Sequence, residues 1–180
     1  DFGGMGEVWL GREHRTDEVV AIKVLHPHLS NSAAFRQRFE HEVDALARMH
    51  HPNIVSLIDV IRQPCLALVM EFIDAVTLVE RLAEGVATPS RVKQWGRELA
   101  SALEHAHALG LIHRDIKPAN VLIDSLEHAH LADFGIAVLP HHAALTQVGT
   151  IIGTAAYLSP EQAMGHTVDQ RSDLYSLGLV

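Results

Sequence analysis

Cysteine is almost missing from this 180-residue sequence. Cys65 stands alone, which excludes an intrachain disulfide and any cysteine-based zinc cluster. Basic charge is also short: 14 Lys and Arg face 22 Asp and Glu, for a formal net charge of −8 at pH 7. That balance argues against nucleic acid as a partner, because nucleic-acid-binding surfaces are usually basic. No apolar run approaches the ~20 residues of a membrane-spanning helix, so no membrane segment is expected within the chain. Internal repeats, low-complexity tracts and linkers are missing too. The chain begins without an initiator Met and without a signal-peptide pattern, as expected of a piece of something longer. What remains is globular, with 48% hydrophobic and 20% charged residues, neither disordered nor collagen-like. Its length suits one domain or two small lobes sharing a cleft.

Residues 5–10 and 18–24 read as two short strands joined by a polar turn around Glu13–Asp17. After a loop at His26-Pro27-His28, the pattern predicts a helix from about Ser32 to Met49, with Phe35, Phe39, Val43, Leu46 and Ala47 forming one apolar stripe. Ser32 is the candidate N-cap. His51-Pro52 closes the segment, because the residue before proline avoids helical angles. Strand-like runs follow at Ile54–Ile61 and Leu66–Phe72. A long core helix is expected from about Pro89 to Leu109, with Val92, Trp95, Leu99, Leu103 and Ala106 at helical spacing. Thr88 suits its cap, Pro89 its first turn and Gly110 its C′ stop. Beyond it lie short apolar runs at Val121–Ile123 and Ala129–Ala132, and residues 135–158 lack clear periodicity. A strand-rich first part, 1–73, joined near Glu71–Thr77 to a helix-rich second part, 74–180, implies two lobes with a cleft between them.

Four motifs carry chemistry. In Asp1-Phe2-Gly3-Gly4-Met5-Gly6-Glu7-Val8 the glycines let a backbone pass close to phosphate oxygens and offer them N–H groups; a plain glycine turn between strands reads the same way. In Val20-Ala21-Ile22-Lys23 the lysine is out of place among apolar strand neighbours, and a buried ammonium needs a partner. Glu42 on the inward edge of the helix stripe is the better-placed carboxylate and Glu40 its rival. In His113-Arg114-Asp115-Ile116-Lys117-Pro118-Ala119-Asn120, an acid, a base and an amide sit within eight residues. Asp133-Phe134-Gly135 follows Asn120 by 13 residues. Asp133 and Asn120 are hard oxygen donors of the kind Mg²⁺ prefers, and Asp115 can receive a hydroxyl proton.

In this order, the four motifs resemble the protein-kinase signature. Gly153-Thr154-Ala155-Ala156-Tyr157-Leu158-Ser159-Pro160-Glu161 and Asp173-Leu174-Tyr175-Ser176-Leu177-Gly178 extend the resemblance. Gly-Met-Gly-Glu-Val, Arg-Asp-Ile-Lys-Pro-Ala-Asn and Tyr-Leu-Ser-Pro-Glu-Gln look most like bacterial serine/threonine kinases of the eukaryotic-like type. The resemblance implies an α+β fold of two lobes, a β-rich N-lobe over 1–73 and a helical C-lobe over 74–180, truncated at both ends. It implies ATP as phosphoryl donor with Mg²⁺, or alternatively Mn²⁺. By the same likeness Lys23 contacts the α- and β-phosphates and is held by Glu42. Asn120 and Asp133 hold the metal, Asp115 takes the substrate proton, and Lys117 contacts the γ-phosphate. Gly3 and Gly6 lie over the phosphates. Val8, Ala21 and Leu122 enclose adenine, and the Glu71–Ile73 backbone supplies hinge contacts beside a gatekeeper at Met70. Leu46, Leu57, His113 and Phe134 match a stacked apolar spine. Lys117 and Thr154 point to protein Ser/Thr hydroxyls as acceptors. Cytoplasmic exposure follows from the need for ATP.

Arg114, beside Asp115, implies regulation through the segment between Asp133 and Glu161. A phosphate arriving on Thr146, or second on Thr150, would pair with it and order the segment, with self-association as the route to autophosphorylation. Fourteen histidines invite a metal reading, yet none has the i, i+4 spacing with a nearby acid that marks a zinc site. His105 and His107, two apart on a helix, face different ways.

Asp1 stands where the first glycine of the phosphate loop normally lies. The first strand of the family and the helices after the central C-lobe helix are not among the 180 residues, which amount to about two-thirds of such a domain. A pseudokinase or nucleotide-binding scaffold is the alternative to an active kinase, and the intact Lys23, Asp115, Asn120 and Asp133 speak against it. A small-molecule kinase is a distant third. The isolated chain is expected to be poorly stable and nearly inactive.

Overall fold

A computed structural model describes residues 2–3, 6–30, 32–134 and 155–180. The chain separates into two compact units: 1–50 with 55–73, and 51–54 with 74–180.

The first unit is built on a five-stranded antiparallel sheet in the order β1-β2-β3-β5-β4. Its strands are β1 (Phe2–Gly3), β2 (Gly6–Arg12), β3 (Val19–Leu25), β4 (Leu57–Ile61) and β5 (Ala67–Glu71). The β2–β3 turn is closed by Glu13, whose Oε2 accepts the Thr16 and Arg15 N–H groups. Two helices follow β3. The short α1 (Pro27–Ser30) occupies the segment expected to be a loop. In α2 (Ala33–Leu46), Ser32 is the N-cap and accepts the Phe35 N–H. Phe35, Phe39, Val43 and Leu46 are all buried, as their spacing predicts. The helix stops before the His51-Pro52 boundary: Arg48 and Met49 donate to Ala45 and Leu46 carbonyls in tighter turns. Proline sets only the furthest point a helix can reach. Likewise the expected strand from Ile54 begins at Leu57, because Ile54 instead bridges Leu131 in the second unit.

The second unit carries a three-stranded antiparallel sheet, β6 (Ala75–Thr77), β7 (Val121–Asp124) and β8 (Ala129–Leu131). Its described α-helices are α3 (Leu78–Ala83), α4 (Pro89–Ala108), α5 (Pro160–Ala163) and α6 (Gln170–Leu177). Thr88 caps α4 and Pro89 fills its first turn. Trp95, Leu99, Leu103 and Ala106 are buried, whereas Val92 at the head of the same stripe is exposed. Gly110 ends the helix at φ +78°, where the Leu111 N–H reaches Ala106 O and the Gly110 N–H reaches His107 O. That paired closure requires a left-handed residue, which glycine adopts without steric cost. Residues 51–54 are stitched into this unit. His51 Nε2 lies 3.0 Å from Ser101 Oγ, Asn53 Nδ2 donates to Ala129 O, and Asn53 O accepts from Leu131 N. Among the described residues no helix is long and apolar enough to cross a membrane.

Candidate active site

In the first unit, register decides which side chains share a face. Lys23 pairs across the sheet with Val8 and Leu68, and Ala21 pairs with Met70. Cross-strand partners and residues two apart project from the same side, so Val8, Ala21, Lys23 and Met70 stand on one face. Lys23 is half-buried there. Gly3 lies opposite Gly6 at the start of the β1–β2 hairpin. A side chain at Gly6 would meet Val24 O at 2.1 Å, so only glycine lets these strands approach. Of the two carboxylates weighed for Lys23, Glu40 is committed elsewhere. Arg62 Nε donates to its Oε1 at 2.9 Å and the terminal nitrogen to its Oε2 at 2.7 Å, and that bond holds the Glu40 carboxyl below the usual range. Glu42 is half-buried on α2. Glu71 ties β5 to the chain before β4: its N–H donates to Ser56 O and its Oε1 accepts from Ser56 N, both at 3.0 Å. Ile73 is half-buried at the end of this unit.

In the second unit, the segment between α4 and β7 is irregular, and side-chain bonds hold it. Asp115 Oδ2 accepts from Lys117 Nζ at 2.8 Å and from Asn120 Nδ2 at 2.9 Å, and the same Asn120 amide donates to Asp115 O at 2.7 Å. Both side-chain bonds therefore fall on one carboxylate oxygen. Pro118 starts a single 3-10 turn that ends at Asn120. Asn120 O accepts from the Ala132 N–H at 2.9 Å, which brings Asp133 beside Asn120. Asp133 has φ +59°. Leu122, on β7 opposite Thr77 and His130, is half-buried.

His113 is fully buried. Its Nε2 lies 2.9 Å from Ala132 O and its Nδ1 3.3 Å from the Asp115 N. A carbonyl needs a donor and an N–H needs an acceptor, so the ring is the neutral Nε2–H tautomer. Burial pushes its pKa down, against the pull of Asp173. Its ring meets Phe134 with centroids 4.6 Å apart.

Arg114 is a non-glycine residue at φ +65°, a conformation that costs about 1–3 kcal/mol and persists only where surroundings enforce it. Two side chains enforce it here. Asp173, buried on α6, accepts the Arg114 N–H through Oδ1 and the His113 N–H through Oδ2, both at 2.8 Å. Gln162, buried on α5, donates from Nε2 to Arg114 O at 2.7 Å. His107 Nε2 also reaches Asp173 Oδ2 at 2.8 Å, while His105 turns its ring toward His51. These roles of Asp173, Gln162 and His107 were not foreseen from the sequence. The bonds join positions 48–66 residues apart, and no local spacing announces them. Thr146, Thr150 and Thr154 lie outside the described residues.

The family described as the protein kinase domain matches residues 2–180. The chain belongs to that family. Serine/threonine-protein kinase PknB of Mycobacterium tuberculosis is 43% identical over 187 residues, a match covering 99% of this chain and 30% of the relative. A serine/threonine-protein kinase of Myxococcus xanthus is 44% identical over 185 residues, covering 99% of this chain and 22% of the relative. The chain thus spans less than a third of the length of these curated relatives. The crystal structure of the Mycobacterium tuberculosis PknI kinase domain aligns with TM-score 0.78 at 33% identity, covering 98% of this chain and 67% of that one. The expected protein-kinase-like fold, with its β-sheet unit and its unit of helices, is therefore what this chain adopts.

The kinase family uses ATP with a divalent ion. Among the described residues no three His, Cys, Asp or Glu side chains converge as a transition-metal site would require. A hard ion needs less. Mg²⁺ is usually held by one or two protein oxygens together with substrate phosphates. Asn120 fits that demand. Its Nδ2 is committed to Asp115, so its Oδ1 is the atom left to ligate.

Proposed function

We propose that this chain is the catalytic part of a serine/threonine protein kinase that transfers the ATP γ-phosphate to protein Ser or Thr hydroxyls. The observation that carries the reading is the double anchoring of Asp115 Oδ2 by Lys117 and Asn120. It fixes the carboxylate plane and leaves Oδ1 to orient a substrate hydroxyl and take its proton, while the Lys117 ammonium stands beside the reacting oxygen. Phosphoryl transfer asks the protein mainly for position and charge. Lys23, steadied by Glu42, supplies positive charge for the α- and β-phosphates. Gly3 and Gly6 give the backbone room above them.

Val8 and Ala21 lie on the Lys23 face of the sheet, and with Leu122 they would enclose adenine. The Glu71 N–H is committed to Ser56, so a hinge contact at Glu71 uses its carbonyl, with the Ile73 N–H beyond. Asn120 and Asp133 would hold Mg²⁺, or Mn²⁺ in its place, which when bound neutralises phosphate charge. Thr146, and second Thr150, are the proposed activating phosphosites, with Arg114 as the phosphate's partner. Self-association brings one copy's segment to another's Asp115. The need for ATP places this catalytic part in the cytoplasm.

The test is transfer of γ-labelled phosphate from ATP to a protein substrate by the full-length protein. Transfer abolished by Asp115→Asn supports the reading. Intact ATP binding without transfer by the unmodified protein favours a nucleotide-binding scaffold.

A further inference from the structure

Gln162 is the third residue of α5, capped by Ser159. Its Oε1 accepts the Ser159 N–H at 3.0 Å while its own N–H donates to Ser159 Oγ at 3.3 Å. For that reciprocal cap a glutamate would serve equally well, and its charge would also suit the N-terminal end of a helix. An amide has a use here that a carboxylate lacks. Nε2 donates to Arg114 O at 2.7 Å, across 48 residues. The orientation is unambiguous, because flipping the amide would set NH₂ against the Ser159 N–H and oxygen against the Arg114 carbonyl. The receiving carbonyl belongs to the left-handed residue immediately before Asp115. Asp173 holds the N–H of that residue and Gln162 its C=O. Asp173 thus fixes the His113–Arg114 peptide and Gln162 the Arg114–Asp115 peptide, from which the Asp115 side chain projects.

We infer that Gln162 is a positioning residue for phosphoryl transfer, its amide locking the Arg114 carbonyl so that Asp115 meets the substrate hydroxyl. This inference rests on the kinase reading above. It also gives a route by which the segment after the activation loop reports its position to Asp115. Ser159 and Gln162 cannot keep their cap and their bond to Arg114 unless α5 is seated against the catalytic segment.

The experiment compares Gln162→Met and Gln162→Glu in the full-length protein, reading kcat, KM for ATP, nucleotide affinity and melting temperature between about pH 6 and pH 9. Gln162→Met keeps the length and removes both the donor to Arg114 and the acceptor that caps Ser159. Its kcat should fall about 10- to 100-fold at every pH, with KM for ATP held within about threefold. Gln162→Glu keeps the capping acceptor, but its carboxylate is ionised across this range and offers the Arg114 carbonyl no donor. Its kcat should also fall about 10- to 100-fold, with nucleotide affinity and KM for ATP held within about threefold, a split that loss of packing alone would not produce. If Gln162→Met does not fold, Gln162→Glu decides the matter. A kcat within twofold of the unmodified protein for either variant overturns the positioning role while the unmodified protein's turnover keeps the kinase reading intact. ATP binding without transfer by the unmodified protein overturns both.

Discussion

The Arg114 N–H donates to Asp173 Oδ1 at 2.8 Å, although 59 residues separate the two in the chain. The partner oxygen, Oδ2, accepts the His113 N–H and faces His107 Nε2. Asp173→Ala would leave these donors buried and unanswered. It is expected to destabilise the second unit by roughly 3–5 kcal/mol, measured by urea denaturation. Asp173→Asn should recover only part of the loss, since its NH₂ must face one of the donors. A cost below about 1 kcal/mol for Asp173→Ala would contradict the anchoring role.

Asp115→Asn is expected to lower kcat by about 10²- to 10⁴-fold, the range for loss of a positioned proton acceptor. ATP affinity, measured by titration calorimetry, should stay nearly unchanged, because the residue's bonds go to Lys117 and Asn120. A parallel loss of ATP affinity would mean that the variant has disturbed the binding surface itself.

Glu98 and His128 form an ion pair at 2.7 Å between α4 and the β7–β8 turn. The bond to Glu98 raises the His128 pKa above its ordinary 6.5. Burial works against ionised Glu98, yet bonds from the Ala129 N–H, His128 and Gln94 leave its pKa below 4.5. The histidine contribution is full below 6.5 and is lost as pH rises through the elevated folded value. The glutamate contribution is full above 4.5 and is lost as pH falls through the lowered one. His128→Gln should therefore lower the melting temperature more near pH 5.5 than at pH 8.5. Equal effects at both would remove the ion pair from consideration.

His113 acts in the opposite sense. It is neutral and fully buried, with its pKa depressed by burial, so below pH 6.5 the unfolded chain binds a proton that the folded chain does not. His113→Phe retains an aromatic face toward Phe134 and should flatten the acid side of the stability profile, while lowering stability at neutral pH through loss of the Ala132 bond. Thermal melts between pH 5 and pH 8 check both effects.

Autophosphorylation is expected on Thr146, or second on Thr150. Mass spectra of the full-length protein incubated with ATP should show one or both modified. Two unmodified threonines in a protein that phosphorylates other substrates would refute this regulation.

Elements that carry their own start and stop signals were legible in the amino-acid order. Ser32, Thr88 with Pro89, and Gly110 mark ends that the structure keeps. Shorter elements were not. The four residues of α1 cannot establish a period. In α3 two of the apolar residues, Val79 and Leu82, face solvent, so its pattern misstates which side is inward. The candidate site was legible as residue types, because Asp115, Lys117 and Asn120 lie within six positions. Which oxygen of Asp115 they share was not, since a spacing does not state a side-chain rotamer. The assignment of Glu40 to Arg62 rather than Lys23 likewise came from the return of the chain between β4 and β5.

The order of amino acids by itself determined the chemical inventory, the main helices and strands, and the kinase family, because capping, periodicity and motif spacing act over a few neighbouring residues. Tertiary structure alone decided how the backbone around Arg114 and Asp133 is held. Left-handed angles at such residues are unfavourable on local grounds and persist where partners from elsewhere in the fold compel them. For Arg114 those partners are Asp173 and Gln162, and only folding brings them to it.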